Sequence, residues 1–231
     1  MTLLSSKRVA ETLDKLHADA DAADRDLMAK MTAQVETSGE TLKDLAARFV
    51  DEERMNYRAT YRGHADHFLA ISPAYGRFLY AVVRARGATR IVEFGTSMGV
   101  STIYLAAALR DNGGGQLIGS ELEPTKVTRA RAHLEAAGLA DLVEIREGDA
   151  LDTLKDVGGE VDVLSIDGAF SLYLPVLKLI EPRLAPGAVI FGENAFAQDY
   201  LDYVRTPANG YFSRSLDIDE GRGNEFTVRV G

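Results

Sequence analysis

The chain has 231 residues, an apolar fraction of 46% and a net charge of −9 from 26 basic and 35 acidic side chains, which suits one substantial globular domain with a small helical extension. With no block rich in lysine or arginine, this acidic balance argues against a nucleic acid or an anionic membrane as the main partner. Cysteine is absent, which rules out disulfides, thiolate catalysis and sulfur-ligated metals. No signal-peptide core and no transmembrane-length run is visible, so a cytoplasmic protein is expected.

Residues 5 to about 50 are polar and alanine-rich, with apolar residues at helical spacing: Val9, Leu13 and Leu16, then Leu42, Leu45, Ala46 and Phe49. The pattern predicts helices interrupted around TSGET, with Thr41 opening the second. Residues 1–65 are expected to form a helical cap or extension and residues 66–231 the main domain. The apolar stripe of the cap reads as packing on the chain's own sheet or as a homodimer surface. The charged runs DADAADRD and DEER read as solvent faces, and His17 and His133 as solvated. In HADHFLAISPAYGRFLYAVVRARG, Ser72 and Pro73 read as the N-cap and first residue of a helix that closes near Gly87.

From there strands and helices alternate: strand ATRIVEF, loop GTSMG, helix STIYLAAALRD, a turn at NGGGQ, strand LIGSE, helix PTKVTRARAHLEAAG, strand LVEIREG and short helix ALDTLKD. Strand VDVLSID, helix SLYLPVLKLIEPRLA, a turn at Pro186-Gly187 and strand AVIFGEN follow, and YFSRSLDIDEGRGNEFTVRV, residues 211–230, reads as a hairpin turning at EGRGN. The fold class expected is α/β, a Rossmann-like, mostly parallel sheet with helices on both faces, an antiparallel C-terminal hairpin and an N-terminal helical cap.

Open parallel sheets bind ligands at the carboxyl ends of their strands. Each of the five parallel strands predicted here ends in an acid: Glu93, Glu121, Asp149, Asp167 and Glu193, the last followed by Asn194. The loop after Glu93 reads G-x-x-x-G. It lacks the middle glycine of a dinucleotide fingerprint and the Gly-Lys-Ser/Thr of a P-loop. Glu93 in front of it would repel phosphate and suits a ligand carrying ammonium and sulfonium charges. Gly95 and Gly99 permit close approach of a ligand and a tight turn into the helix, and Glu121 is placed to accept hydrogen bonds from both hydroxyls of a ribose. A nucleoside with a cationic tail and no phosphate is S-adenosylmethionine (SAM), the cofactor these residues imply.

IVEFGTSMGVSTIYLA, LIGSELEP, EIREGDAL, VDVLSIDG and the Pro-Gly turn before FGEN occur in that order and resemble the small class I methyltransferases. The nearest likeness is to the catechol and caffeoyl-CoA O-methyltransferase family with its bacterial branch, and it runs from about residue 65 to the end. The resemblance implies a SAM-dependent methyltransferase of small-molecule or secondary metabolism acting on a small aromatic acceptor. It also implies that Glu93, Gly95, Ser97, Gly99 and Ser101 hold the methionine part and Glu121 the ribose. Asp149 and Ala150 would flank the adenine, Ile71 would line the cofactor from the cap side, and Asp167 would lie near the methyl group.

In that family an Asp followed three residues later by Lys, and an Asp-Asn pair after the next strand, place a magnesium-type ion and a base beside the acceptor. Here the first segment reads DGAF, with Phe170 in the lysine position, and the second reads EN, with Glu193 for the aspartate and Asn194 kept. Asp167, Glu193 and Asn194 still read as oxygen ligands for magnesium, although octahedral magnesium tolerates misplaced ligands poorly. In the metal-free reading a chelator has little effect, Glu193 is the base and Phe170 stacks on an aromatic acceptor. The catalytic candidates are therefore Glu193, Asp167 and Asn194, with His67 of RGHADHF as a further base near neutral pH. His64 and His67 read more readily as surface or interface residues. Tyr57, Tyr61 and Tyr75 read as pocket lining or as core tyrosines with satisfied hydroxyls. Three alternatives stay open: metal-independent methylation of an indole carbon or an amine, a SAM-binding protein without catalysis, and an NAD-dependent dehydrogenase, which shares the sheet and the ribose acid.

Overall fold

Short runs of Val, Ile and Leu form five parallel strands, β1 (Arg90–Phe94), β2 (Gln116–Glu121), β3 (Val143–Glu147), β4 (Val161–Ile166) and β5 (Leu184–Gly192). An antiparallel hairpin of β6 (Tyr211–Ser215) and β7 (Glu225–Arg229) completes a seven-stranded sheet of order β3-β2-β1-β4-β5-β7-β6. This computed structural model describes residues 2–39, 41–219 and 223–231. Residues 220–222 of the expected EGRGN turn, and Glu40 of TSGET, lie outside the described residues.

Successive side chains of a strand point to opposite faces, so each strand feeds two cores. Ile91, Leu117, Ile145, Val163 and Phe191 pack under α1 (Lys7–Ser38), α3 (Pro73–Arg86), α4 (Val100–Asp111) and α5 (Pro124–Ala137). Val92, Ile118, Leu164 and Ile190 pack under α6 (Ala150–Thr153), α7 (Tyr173–Ile180) and α8 (Gln198–Arg205). The buried residues of α1 are Val9, Leu13, Leu16, Ala20 and Asp24, none of them beyond residue 24. Among the described residues no helix is long and apolar enough to cross a membrane.

The local signals act as their chemistry requires. Ser72 Oγ accepts from Tyr75 N at 3.0 Å with Pro73 in the first turn of α3. Thr41 and Asp44 form a capping box that opens α2 (Leu42–Arg62). Three features depart from expectation. The helix expected to reach Ala185 stops at Ile180, and Pro182 sits in a single 3-10 turn, Glu181–Arg183, because proline cannot donate to the helical ladder. The Pro186-Gly187 pair is not a turn before β5 but an excursion inside it: Val161 pairs with Leu184 and Val163 with Val189, so the chain bulges between two in-register contacts. Helix α8 was not expected; it buries only Tyr200 and Val204 and has no side-chain N-cap, too little pattern to stand out from a loop.

Candidate active site

The end of β1 is built around a buried acid. Glu93 is 0% exposed, and its carboxylate accepts hydrogen bonds from Thr102 Oγ1 at 2.6 Å, Ser101 Oγ at 2.7 Å and Thr96 Oγ1 at 3.1 Å. Burial raises its pKa against the pull of those three hydroxyls. Glu93 thus ties the glycine loop to the first turn of α4. These three partners hold its carboxylate beneath the loop. At Gly95, φ is +93° and a Cβ would stand 1.9 Å from the Asp167 carbonyl oxygen, so only glycine lets the ends of β1 and β4 approach this closely. Gly99, at φ +85°, is the N-cap residue of α4.

Glu121 faces this loop from the end of β2. One of its oxygens accepts from Ser97 N at 2.7 Å and the other from Glu123 N at 2.9 Å. An amide that a phosphate-binding loop would present to its ligand is here turned toward a carboxylate. Asp149 caps α6 through Leu151 N at 2.9 Å. Its other oxygen receives the Tyr57 hydroxyl and the Arg58 guanidinium, the latter at 2.6 and 3.1 Å. Burial pushes the Asp149 pKa up, but these hydrogen bonds outweigh it and leave the carboxyl below its ordinary value. Ala150 follows, buried in the first turn of α6.

Tyr57 and Arg58 come from α2, which lies across the strand ends as a clamp. Its helix breaks at Asn56 (φ −166°, ψ 68°) and restarts with Asn56 Oδ1 accepting from Ala59 N at 3.2 Å. Glu53, 0% exposed, accepts from Tyr61 OH and from Ser171 N, both at 2.8 Å. Phe49 packs edge-on against Phe170 at 6.0 Å. On the other side a strap of residues 68–71 is held by Asp24 of α1, which accepts from Phe68 N at 2.9 Å and Leu69 N at 2.7 Å. Leu69 has φ +51°, a conformation that a branched residue keeps only when its surroundings impose it. Strap and loop face each other across a crevice lined by Ile71, Gly95, Ser97, Ser101 and Asp167, with a cavity volume of about 10 Å³. Pockets that enclose small ligands measure roughly 300–1,000 Å³, so a nucleoside enters this crevice only if the strap and the loop part.

Beyond the crevice the ends of β4 and β5 bring Asp167, Glu193 and Asn194 side by side. Glu193 N donates to Ile166 O at 3.0 Å, the Glu193 side chain is almost wholly buried, and the Asn194 amide donates to its carboxylate. Asn194 is a further non-glycine residue at positive φ, +48°. Tyr75, expected to be either pocket lining or a satisfied core tyrosine, is buried with a hydroxyl that has no partner among the described residues; burial first, then the charges of Glu193 and Asp167, raise its pKa. Phe170 stands in an aromatic wall with Tyr173 at 5.7 Å and Phe196 at 6.1 Å. His64 and His67 pair through their Nδ1 atoms at 3.4 Å. Burial, then His67 and Lys126, lower the His64 pKa, so it is neutral near pH 7. The three oxygen-bearing side chains at 167, 193 and 194 have the donor chemistry of a hard divalent cation. No three His, Asp or Glu side chains converge as ligands among the described residues, so a cation there would need the Asn194 amide as third donor.

Several residues of this neighbourhood were not expected from sequence. Asp24 and Glu53 belong to the runs DADAADRD and DEER, which read as solvent faces. Each contains one charged residue turned inward, and a charge count over a helix does not reveal which. His17 is half-buried and bonds Tyr104 OH at 3.1 Å, and His133 Nδ1 donates to Met98 O at 2.8 Å; both were expected to be solvated, and both instead hold elements together. Nothing in the sequence distinguishes Lys126 from the other charges of α5, yet it is buried.

A methyltransferase domain model matches residues 92–195. Catechol O-methyltransferase of Mycobacterium tuberculosis is 40% identical over 127 residues, covering 54% of this chain and 57% of that protein. Catechol O-methyltransferase B of Danio rerio is 31% identical over 182 residues, covering 73% of this chain and 68% of that protein. Against the bacterial catechol O-methyltransferases the chain spans 57–58% of the relative's length. Among solved structures, the O-methyltransferase TomG of Streptomyces achromogenes, involved in tomaymycin synthesis and solved in complex with SAM, has a TM-score of 0.64 at 26% identity, covering 71% of this chain and 82% of that one. None of these similarities points to a dehydrogenase, a non-catalytic binder, or indole or amine methylation.

Proposed function

The chain belongs to the catechol O-methyltransferase family, and we propose that it transfers a methyl group from SAM to a hydroxyl oxygen of a small aromatic molecule. The observation that carries this reading is the 2.7 Å hydrogen bond from Ser97 N to Glu121. It commits the glycine loop to a carboxylate, and so to a ligand whose contacts are hydroxyls and positive charge.

SAM, when bound, supplies a methyl group on a positively charged sulfur. Glu121, whose oxygens face the loop, holds the ribose. Asp149 and Ala150 border the adenine once α2 gives way. Gly95, Ser97, Gly99 and Ser101 shape the methionine end, with Glu93 fixing their geometry from below. Ile71 closes the crevice from the strap, and Asp167 stands between crevice and acceptor. Phe170 and its aromatic neighbours hold the acceptor ring and exclude water, which favours a transfer in which charge is lost. Glu193 takes the hydroxyl proton, in place of the lysine that Phe170 replaces. Asp167, Glu193 and Asn194 are also the residues that would hold a divalent cation, which would lower the pKa of the acceptor hydroxyl. A role for His67 as base is not needed in this scheme.

Calorimetric titration with SAM and with NAD, together with a labelled-methyl assay on catechol, tests the reading. Binding of SAM alone and label recovered on the catechol oxygen are expected. Binding of NAD without SAM, or SAM binding with no transfer to any phenolic acceptor, would overturn it.

A further inference from the structure

Among the described residues, the roles above leave one buried cation unused. Lys126, in the first turn of α5, is 4% exposed. Its Nζ makes one hydrogen bond among the described residues, donated to Ser97 Oγ at 3.2 Å. An ammonium has three protons to donate, and a buried charge left with one neutral partner is costly to fold around. The ion pairs found among the described residues do not include it, and the acids around it, Glu121, Asp24, Asp167 and Glu123, act on it through space. Burial lowers its pKa and those four carboxylates counteract that, while His64 is close enough to feel its charge.

The contact it makes is at the crevice wall. Ser97 lines the crevice and passes its own hydroxyl proton to Phe68 O on the facing strap at 2.7 Å, so Lys126, Ser97 and the strap form one hydrogen-bonded line. Ser97 holds φ +46° at this point, a conformation that a non-glycine residue keeps when its surroundings impose it. Directly behind this wall, one hydrogen bond beyond Ser97, lies a dehydrated cation with donors to spare, in a neighbourhood that is otherwise acidic. Such an arrangement selects an anionic group on a ligand that is cationic elsewhere.

Resting on the SAM reading, we propose that Lys126 is the counter-ion of the carboxylate at the amino-acid end of the donor. The ammonium of that end is left to the acids of the crevice, Asp167 foremost. Lys126 is then a specificity residue: it touches the donor far from the methyl group and discriminates the zwitterionic amino acid from a tail bearing the ammonium alone.

The test compares SAM with decarboxylated SAM, which keeps the adenosine, sulfonium and ammonium and lacks only the carboxylate. Calorimetry on the full chain is run with the native protein, Lys126→Met and Lys126→Arg. The native protein is expected to bind SAM at least tenfold more tightly than the decarboxylated compound. Lys126→Met should lose that preference, binding SAM tenfold or more weakly with its affinity for decarboxylated SAM unchanged, and Lys126→Arg should recover part of it. Methionine fills the same space without a buried charge, and a thermal melt verifies that the variant is folded. Equal weakening of both ligands, or an unchanged preference for SAM, would overturn the proposal. If the native protein binds neither compound, the donor itself has been misread, a result distinct from failure at Lys126.

Discussion

In the proposed site, two residues at the loop divide the work between shape and recognition. Gly95 is there for shape: an alanine methyl would collide with the Asp167 carbonyl at a φ of +93°. Gly95→Ala is expected to destabilise the protein by about 3 kcal/mol or more, read from the denaturant midpoint; an unchanged midpoint would mean that the ends of β1 and β4 can separate freely. Glu121 is proposed for recognition, and Glu121→Ala is then expected to weaken SAM binding by roughly 1.5–3 kcal/mol, the usual range for hydrogen bonds to a charged group. A dissociation constant equal to that of the native protein would remove Glu121 from the site. Both residues stood out in the sequence because glycine and a strand-end acid have few other reasons to occur at that spacing. Lys126 and Asp24 did not, since a buried lysine or aspartate is written with the same letter as a solvated one.

At the scale of elements, the clamp formed by α2 depends on protonation. Asp149 has a folded pKa below its ordinary value, owing to Tyr57 and Arg58 and despite burial. Its contribution is complete above the ordinary carboxylate pKa and is lost as pH falls through the lowered one, that is, below about pH 4. Amide exchange of α2, corrected for intrinsic rates, is therefore expected to rise in that acid window before the sheet opens, and to be raised already at neutral pH in Arg58→Ala. Simultaneous opening of α2 and the sheet would show that the clamp is not separately held. Helix boundaries here were readable where a cap marks them, as at Thr41 and Ser72. They were not readable where packing alone decides, as at the Asn56 break, the bulge at Pro186-Gly187 and α8.

For the molecule as a whole, the question is whether the acceptor end runs on an ion. In the proposed scheme Glu193 takes the proton without a cation, so EDTA is expected to leave most of the methyl transfer intact. Complete loss restored by magnesium would instead make Asp167, Glu193 and Asn194 an obligatory cation site and Glu193 a ligand rather than the base. The measurement is the initial rate of transfer to catechol across a chelator series, with the SAM affinity determined in parallel.

The α/β class, the strand order's parallel core, the glycine loop and the five strand-end acids followed from sequence alone, because they rest on short-range rules: alternation within a strand, caps at helix starts, and the backbone freedom of glycine. What the folded chain decided is which charges turn inward. Asp24, Glu53 and Lys126 come from surfaces that look alike in sequence, and only contacts made across long stretches of chain, with the strap, with the turn after β4 and with the loop, take them out of water. Burial is a property of the assembled neighbourhood, so a linear pattern of charges places the acids around the crevice but does not say which of them, or which lysine, faces it.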